Sequence, residues 1–161
     1  MIYIEGLKPQ IESLILDASK EQIDVVWFDF KEALYSILSD KTLMKPDNLL
    51  SEVDVKKQYV DDINSGSIWQ KANKIYIEEP YMDRLIPIIF FIDKTHTDFQ
   101  GRLKLEPITF TIGIFKRKIR NSITRAWRTL GFPTDIMSKK NVKKEIKLQD
   151  YHNILKVILP S

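Results

Sequence analysis

Asp93 closes an unbroken apolar run, Ile88-Ile89-Phe90-Phe91-Ile92, and is followed by Lys94, Thr95, His96 and a second acid, Asp98. A carboxylate at the end of a strand can offer oxygen to a hard divalent cation, or it can accept backbone N–H groups in a turn. Residue type and position leave both readings open. Glu106 stands at the start of a second candidate strand, and either Asp98 or Glu106 can approach Asp93. His96 and His152 are each isolated from any nucleophile and fit surface or helix positions. Cysteine is absent, which excludes disulfides and thiolate metal sites. Phosphate-loop, dinucleotide, serine-hydrolase and zinc-protease fingerprints are absent as well.

The run that carries Asp93 is short and wholly apolar, which predicts a strand buried on both faces. Pro87 precedes it, where a proline leaves the ladder intact. A polar stretch with Gly101 follows. Ile108, Phe110, Ile112 and Ile114 then alternate with Thr109, Thr111 and Gly113, predicting a strand with one better-buried face. Residues 119–132 support two readings: Ile123, Trp127 and Leu130 fit a helix, whereas 126–132, closed by Gly131 and Pro133, also fit a third strand.

Upstream, Leu7, Ile11, Leu14 and Ile15 have helical spacing, with Pro9 near the start, and predict an amphipathic helix over residues 7–19. Residues 23–28 read as extended. Asp29 with Glu32 predicts a helix N-terminus ahead of Phe30, Leu34, Ile37 and Leu38, and the helix should stop near Ser39-Asp40. Asp24, Asp29 and Asp40 suit capping better than ligation, and Trp27, Phe28 and Tyr35 suit core or interface positions. Residues 46–54 read as loop and 55–63 as one or two helical turns. Ser67 and Gln70 form a capping-box pattern before Ile68, Ala72, Ile75 and Tyr76; that helix should end before Pro80, and Trp69 should pack. Leu148, Tyr151, Leu155 and Ile158 define the apolar face of a final helix over 148–159.

The 161 residues suit one domain with a real core, and the net charge is +3. The charge is unevenly spread. Lys116, Arg117, Lys118, Arg120, Arg125, Arg128, Lys139, Lys140, Lys143 and Lys144 are opposed over that span only by Asp135, so the rest of the chain is net acidic. Such a segment fits a polyanion, its cations neutralising phosphates with little sequence preference; it equally fits a solvated basic face. Arg125, Trp127 and Arg128 can add stacking on single strands. No apolar run is long enough to span a bilayer, and the first residues lack the pattern of a signal peptide, so the expected location is nuclear or cytoplasmic.

The wording of several segments adds more. FFIDKTHTD (90–98), GRLKLEP (101–107), FTIGIFKR (110–117) and AWRTLGF (126–132), with FDFKEALYSILSD (28–40) and DINSGSIWQ (62–70) upstream, resemble the transposase-like proteins of Plavaka-type elements, distant relatives of the CACTA transposases. Asp93-Lys94-Thr95, residues 107–113 and Leu130-Gly131-Phe132 stand where that family has its D-K-T, P-x-x-x-T-x-G and L-G-Y/F motifs. The resemblance covers residues 27–159. It implies an α+β chain: helices over 1–80, then over 81–161 the opening antiparallel strands of an incomplete ribonuclease H-like fold, with 126–132 as the third strand, and a C-terminal helix. It implies DNA as partner, with Lys116, Arg117, Lys118, Arg120, Arg125 and Arg128 as candidate contacts. It also implies Asp93 as the first carboxylate of a two-metal site for Mg²⁺ or Mn²⁺, which activates the attacking oxygen and stabilises the leaving one. In that fold the second and third carboxylates come from later elements, and neither Asp98 nor Glu106 matches them. The expectation is a transposase fragment inactive alone. The alternative is a non-catalytic nucleic-acid-binding module that uses residues 116–144.

Overall fold

The computed structural model describes residues 6–50, 62–79, 82–92, 95–96, 104–133 and 143–159. The β-branched run expected to be extended is a strand, and it brings the preceding segment with it. β1 (Gln10–Ile15) and β2 (Gln22–Trp27) form an antiparallel hairpin with Gln10 opposite Trp27 and Ile15 opposite Gln22. The helix expected over 7–19 is therefore replaced by a strand and a turn. Ile11 and Ile15, which suggested a helical face, are 74% and 71% exposed. Pairing with β2, whose Ile23 and Val25 are buried, outweighs a weak local period. The turn is closed by Leu16 N–H donating to the Glu21 carbonyl and Lys20 N–H donating to that of Leu16, with Lys20 at φ 61.

α1 (Phe30–Leu38) starts as expected, since the Glu32 N–H donates to Asp29 Oδ1 at 2.8 Å. Phe28, Ala33 and Ile37 are buried, Trp27 is half-buried and Tyr35 is exposed. α2 (Ser67–Tyr76) also forms where expected and stops before Pro80, but its cap differs. Gly66 occupies the N-cap without a side-chain bond. The capping box lies one turn earlier, between Asp62 and Ser65, around a 3₁₀ turn (Ile63–Ser65). Ser67 already has helical geometry, so it cannot serve as the extended cap residue.

The remaining elements are β3 (Ile88–Ile92), β4 (Thr95–His96), β5 (Lys104–Leu105), β6 (Ile108–Ile112), α3 (Arg117–Ser122), β7 (Arg128–Pro133) and α4 (Lys144–Ile158). The chain is α+β: helices accompany a five-stranded sheet in the order β1-β2-β7-β6-β3, and β4 pairs with β5 in a separate two-stranded ladder. β2 with β7 and β6 with β7 are antiparallel, with a register irregularity between Ile108 and Thr109.

Two burial expectations change places. β3, the unbroken apolar run, is an edge strand, with Phe90, Phe91 and Ile92 42%, 53% and 42% exposed. β6, the alternating strand, is buried along its whole length. β7 and β3 cover both edges of β6, and its side chains are buried on both faces. Its threonines tolerate this because their hydroxyls have acceptors: Thr109 Oγ1 donates to the Phe91 carbonyl and Thr111 Oγ1 to the Ala126 carbonyl. α4 is turned relative to the expected face. Leu148 is 60% exposed, and among the described side chains the fully buried positions are Asp150, Ile154 and Ile158, each four residues apart. Asp150 Oδ1 accepts the N–H groups of Ala18 and Ser19 and so holds the β1–β2 turn.

Backbone contacts divide the chain into two compact units. One comprises 1–36, 90–110 and 128–161 and holds β1, β2, β7 and α4; the other comprises 37–89 and 111–127 and holds α2 and α3. In the first, Phe30 packs on Phe110 with ring centroids 5.2 Å apart. Gly131 lies opposite both Trp27 and Ile108. A Cβ there would meet the Val26 carbonyl oxygen at 2.9 Å and Ile158 Cδ1 at 3.0 Å. Gly131→Ala is expected to destabilise the protein by about 1–3 kcal/mol through overpacking against backbone; an unchanged urea midpoint would contradict this packing.

Candidate nucleic-acid interface

The basic residues from Lys116 onward are placed by two buried apolar pins, Ile119 in α3 and Ala126 in the 3₁₀ turn Thr124–Ala126. With Ile119 turned inward, Lys116, Arg117 and Lys118 are exposed. Lys116 is held at the entry to α3: its N–H donates to the Asn48 carbonyl and its Nζ to the Asp47 carbonyl. Arg125 is also exposed, and its guanidinium pairs with Asp40 at 2.7 Å. Asp40 additionally accepts the N–H groups of Thr42 and Leu43, as expected of a capping residue. Burial alone would raise the Asp40 carboxyl, but these two N–H groups and Arg125 hold it below the usual carboxylate range.

Arg120 differs from its neighbours. Its guanidinium donates to Asp62 Oδ1 at 2.6 Å and to the carbonyls of Phe115 and Gly113. The two side chains of the pair are 9% and 11% exposed. Asp62 Oδ2 accepts the Arg117 N–H, its Oδ1 accepts the Ile63 N–H, and the Arg120 carbonyl accepts Trp127 Nε1. One ion pair thus joins the start of α2, the end of β6 and the whole of α3. Burial works to raise the Asp62 carboxyl, but the Arg120 hydrogen bond, the two N–H groups and the Arg120 charge outweigh it and leave Asp62 depressed. Arg128, in the other unit, is half-buried and donates from Nε to Ser36 Oγ and from Nη2 to the Ser36 carbonyl.

The six candidate contacts thus divide by environment. Lys116, Arg117, Lys118 and Arg125 present charge to solvent, whereas Arg120 and Arg128 also hold the fold together. Lys143 and Lys144 are exposed at the start of α4, while Lys139 and Lys140 lie outside the described residues. Asp93, Lys94 and Asp98 lie outside them too, as do residues 51–61 of the loop expected over 46–54 and the helical turns expected over 55–63; the described ends of these spans carry 3₁₀ turns at Pro46–Asn48 and Ile63–Ser65. Glu106, between β5 and β6, is 1% exposed. Among the described residues, no three His, Cys, Asp or Glu side chains are placed to hold a metal ion. Asp62 was not singled out from sequence as a site residue. Its signal was the capping pattern it forms with Ser65.

Against this geometry, the family model that matches the chain is decisive: it is described as Plavaka transposase and covers residues 7–161. The chain belongs to the Plavaka transposase family. In this Plavaka chain β3 ends immediately before the D-K-T segment in sequence, β6 covers residues 108–112 of the threonine–glycine segment, Leu130-Gly131-Phe132 lies in β7, and β3, β6 and β7 are adjacent in the sheet. No curated protein and no solved structure matches. Among the described residues no helix is long and apolar enough to cross a membrane.

The Arg120–Asp62 pair carries a stability prediction. Asp62→Asn leaves a largely buried guanidinium without its counter-charge and should cost about 3 kcal/mol at neutral pH. Because the Asp62 carboxyl is depressed in the fold, its contribution is present above the usual carboxylate range and is lost as pH falls through the folded value. The stability gap between wild type and variant, measured by urea unfolding, should therefore narrow below about pH 4.

Proposed function

We propose that this chain is a DNA-handling part of a transposase-like protein, related to metal-dependent strand cleavage and transfer, with β3, β6 and β7 as the opening strands of a ribonuclease H-like region. The observation that carries this reading is the family membership over residues 7–161. It is supported by the adjacency of β3, β6 and β7 in the sheet. In sequence, Asp93 directly follows the last residue of β3, the place of the first metal-binding carboxylate on this reading.

Asp93 is proposed as a ligand for Mg²⁺ or Mn²⁺, ions suited to carboxylate oxygen, where further carboxylates complete the site. The described residues supply no such set, and no step through the metal is derived. A single carboxylate does not make a two-metal site, and the activity proposed for the chain by itself is DNA binding. Binding is assigned to the exposed Lys116, Arg117, Lys118 and Arg125, with Arg120 and Arg128 supporting them from the fold. Lys116-Arg117-Lys118 is also accessible to nuclear import machinery. A non-catalytic nucleic-acid-binding module is the second reading, favoured by the same exposed cations.

Two measurements separate the readings. Calorimetric titration of Mn²⁺ into wild type and Asp93→Asn, with and without a DNA duplex, should give binding that the substitution abolishes; metal-independent DNA binding in both proteins would leave only the second reading. The double variant Lys116→Gln/Lys118→Gln should weaken duplex binding for all sequences alike and reduce the salt slope by about 2. An unchanged slope would remove α3 from the interface.

A further inference from the structure

The turn that follows α1 lies against the basic segment and carries cations of its own. Arg125 Nη2 reaches Asp40 Oδ2 at 2.7 Å across 85 positions of sequence. Lys116 meets the other end of the turn, its Nζ donating to the Asp47 carbonyl at 2.8 Å and its N–H to the Asn48 carbonyl at 2.9 Å. Just beyond, Leu49 bridges Phe115 in antiparallel sense, and the Leu50 N–H donates to the Ile114 carbonyl. Residues 40–50 and 114–125 therefore lie side by side and run in opposite directions, both within the unit that holds α3.

The turn is fixed by its own bonds. Asp40 Oδ1 accepts the N–H groups of Thr42 and Leu43, and the Asp40 carbonyl accepts that of Met44. Asn48 Nδ2 donates to the carbonyls of Thr42 and Leu43. Leu43, 1% exposed, pins the turn inward as Ile119 pins α3. Lys41 and Lys45 stand two residues to either side of that pin, and both are exposed. Of the two acids in the turn, Asp40 is matched by Arg125, and Asp47 is exposed. Because these acids are interspersed with the lysines, the turn is no basic run in sequence; the fold alone adds Lys41 and Lys45 to the charge of α3. Cations spread along two adjoining segments suit a polymer of repeating phosphates, which engages them together, better than one small anion.

We propose that the Asp40–Asn48 turn forms a second row of the DNA interface, with Lys41 and Lys45 contacting the phosphate backbone beside Lys116, Arg117 and Lys118. This rests on the DNA-binding reading and extends its site. Asp47 is the one element of the turn that works against binding, a charge set towards the same phosphates.

The test measures the affinity of the full chain for a labelled DNA duplex of mixed sequence over a series of salt concentrations, by fluorescence anisotropy. Lys41→Gln/Lys45→Gln should weaken binding and reduce the salt slope by about 2. Asp47→Lys should tighten binding and raise the slope by about 1, a gain that misfolding cannot produce. Lys8→Gln/Lys20→Gln, the same loss of charge at exposed positions flanking β1, should leave the slope unchanged. An unchanged slope in Lys41→Gln/Lys45→Gln, where Lys116→Gln/Lys118→Gln lowers it, would overturn the proposal and leave the DNA-binding reading standing. An equal drop in Lys8→Gln/Lys20→Gln would also overturn it, since binding would then follow net charge and not this surface. Absence of salt-dependent duplex binding by the wild type would overturn both.

Discussion

The unit that holds α2 and α3 depends on one guanidinium. Arg120 points inward from a segment rich in cations and meets Asp62 and two carbonyls at the end of β6. With the Arg117 N–H bond to Asp62, it ties the turn that starts α2 to the helix that displays Lys116, Arg117 and Lys118. A buried ion pair is a poor source of net stability but a demanding geometric constraint, because either partner alone is costly. Here the constraint acts on the surface. By drawing Arg120 inward, it leaves the neighbouring cations facing outward in a set arrangement.

The sheet is governed by place more than by hydropathy. β3 is the most apolar strand and stands at an edge, whereas β6, with a threonine at every other position, is the most deeply buried. Hydropathy reports what a side chain tolerates; neighbours decide what it receives. Thr109 and Thr111 tolerate burial because carbonyls of Phe91 and Ala126 accept their hydroxyls. Those acceptors come from residues 18 and 15 positions away, which is why the period of the strand alone pointed the other way.

This distinction also marks how much was legible beforehand. Features set by local chemistry were readable: the Asp29 cap, the spans of α1 and α2, the strands β3 and β6, and the final helix; β7 stayed open between helix and strand, and only the family resemblance favoured the strand. Features set by distant partners were not. β1 resembled a helix because Leu7, Ile11, Leu14 and Ile15 have helical spacing, and only its pairing with β2 makes it a strand. α4 turned a different face inward because Asp150 is engaged by Ala18 and Ser19. Among the candidate contacts, charge was readable but direction was not: nothing in the local sequence of Arg120 distinguishes it from Lys118. The family came from motif order, which preserves information about chemistry that periodicity lacks.

The bond from Asp150 to the β1–β2 turn spans 132 positions of sequence. During synthesis the hairpin is made well before α4, which latches its turn, and β2 finds its other neighbour only when β7 appears. During synthesis, Ile23 and Val25 have no cover of their own. Contacts of such high sequence separation are closed late and slowly. The β1–β2 hairpin therefore has to wait for β7 and α4 before its pairing and its turn are complete, and the order of synthesis sets the order in which this sheet can close.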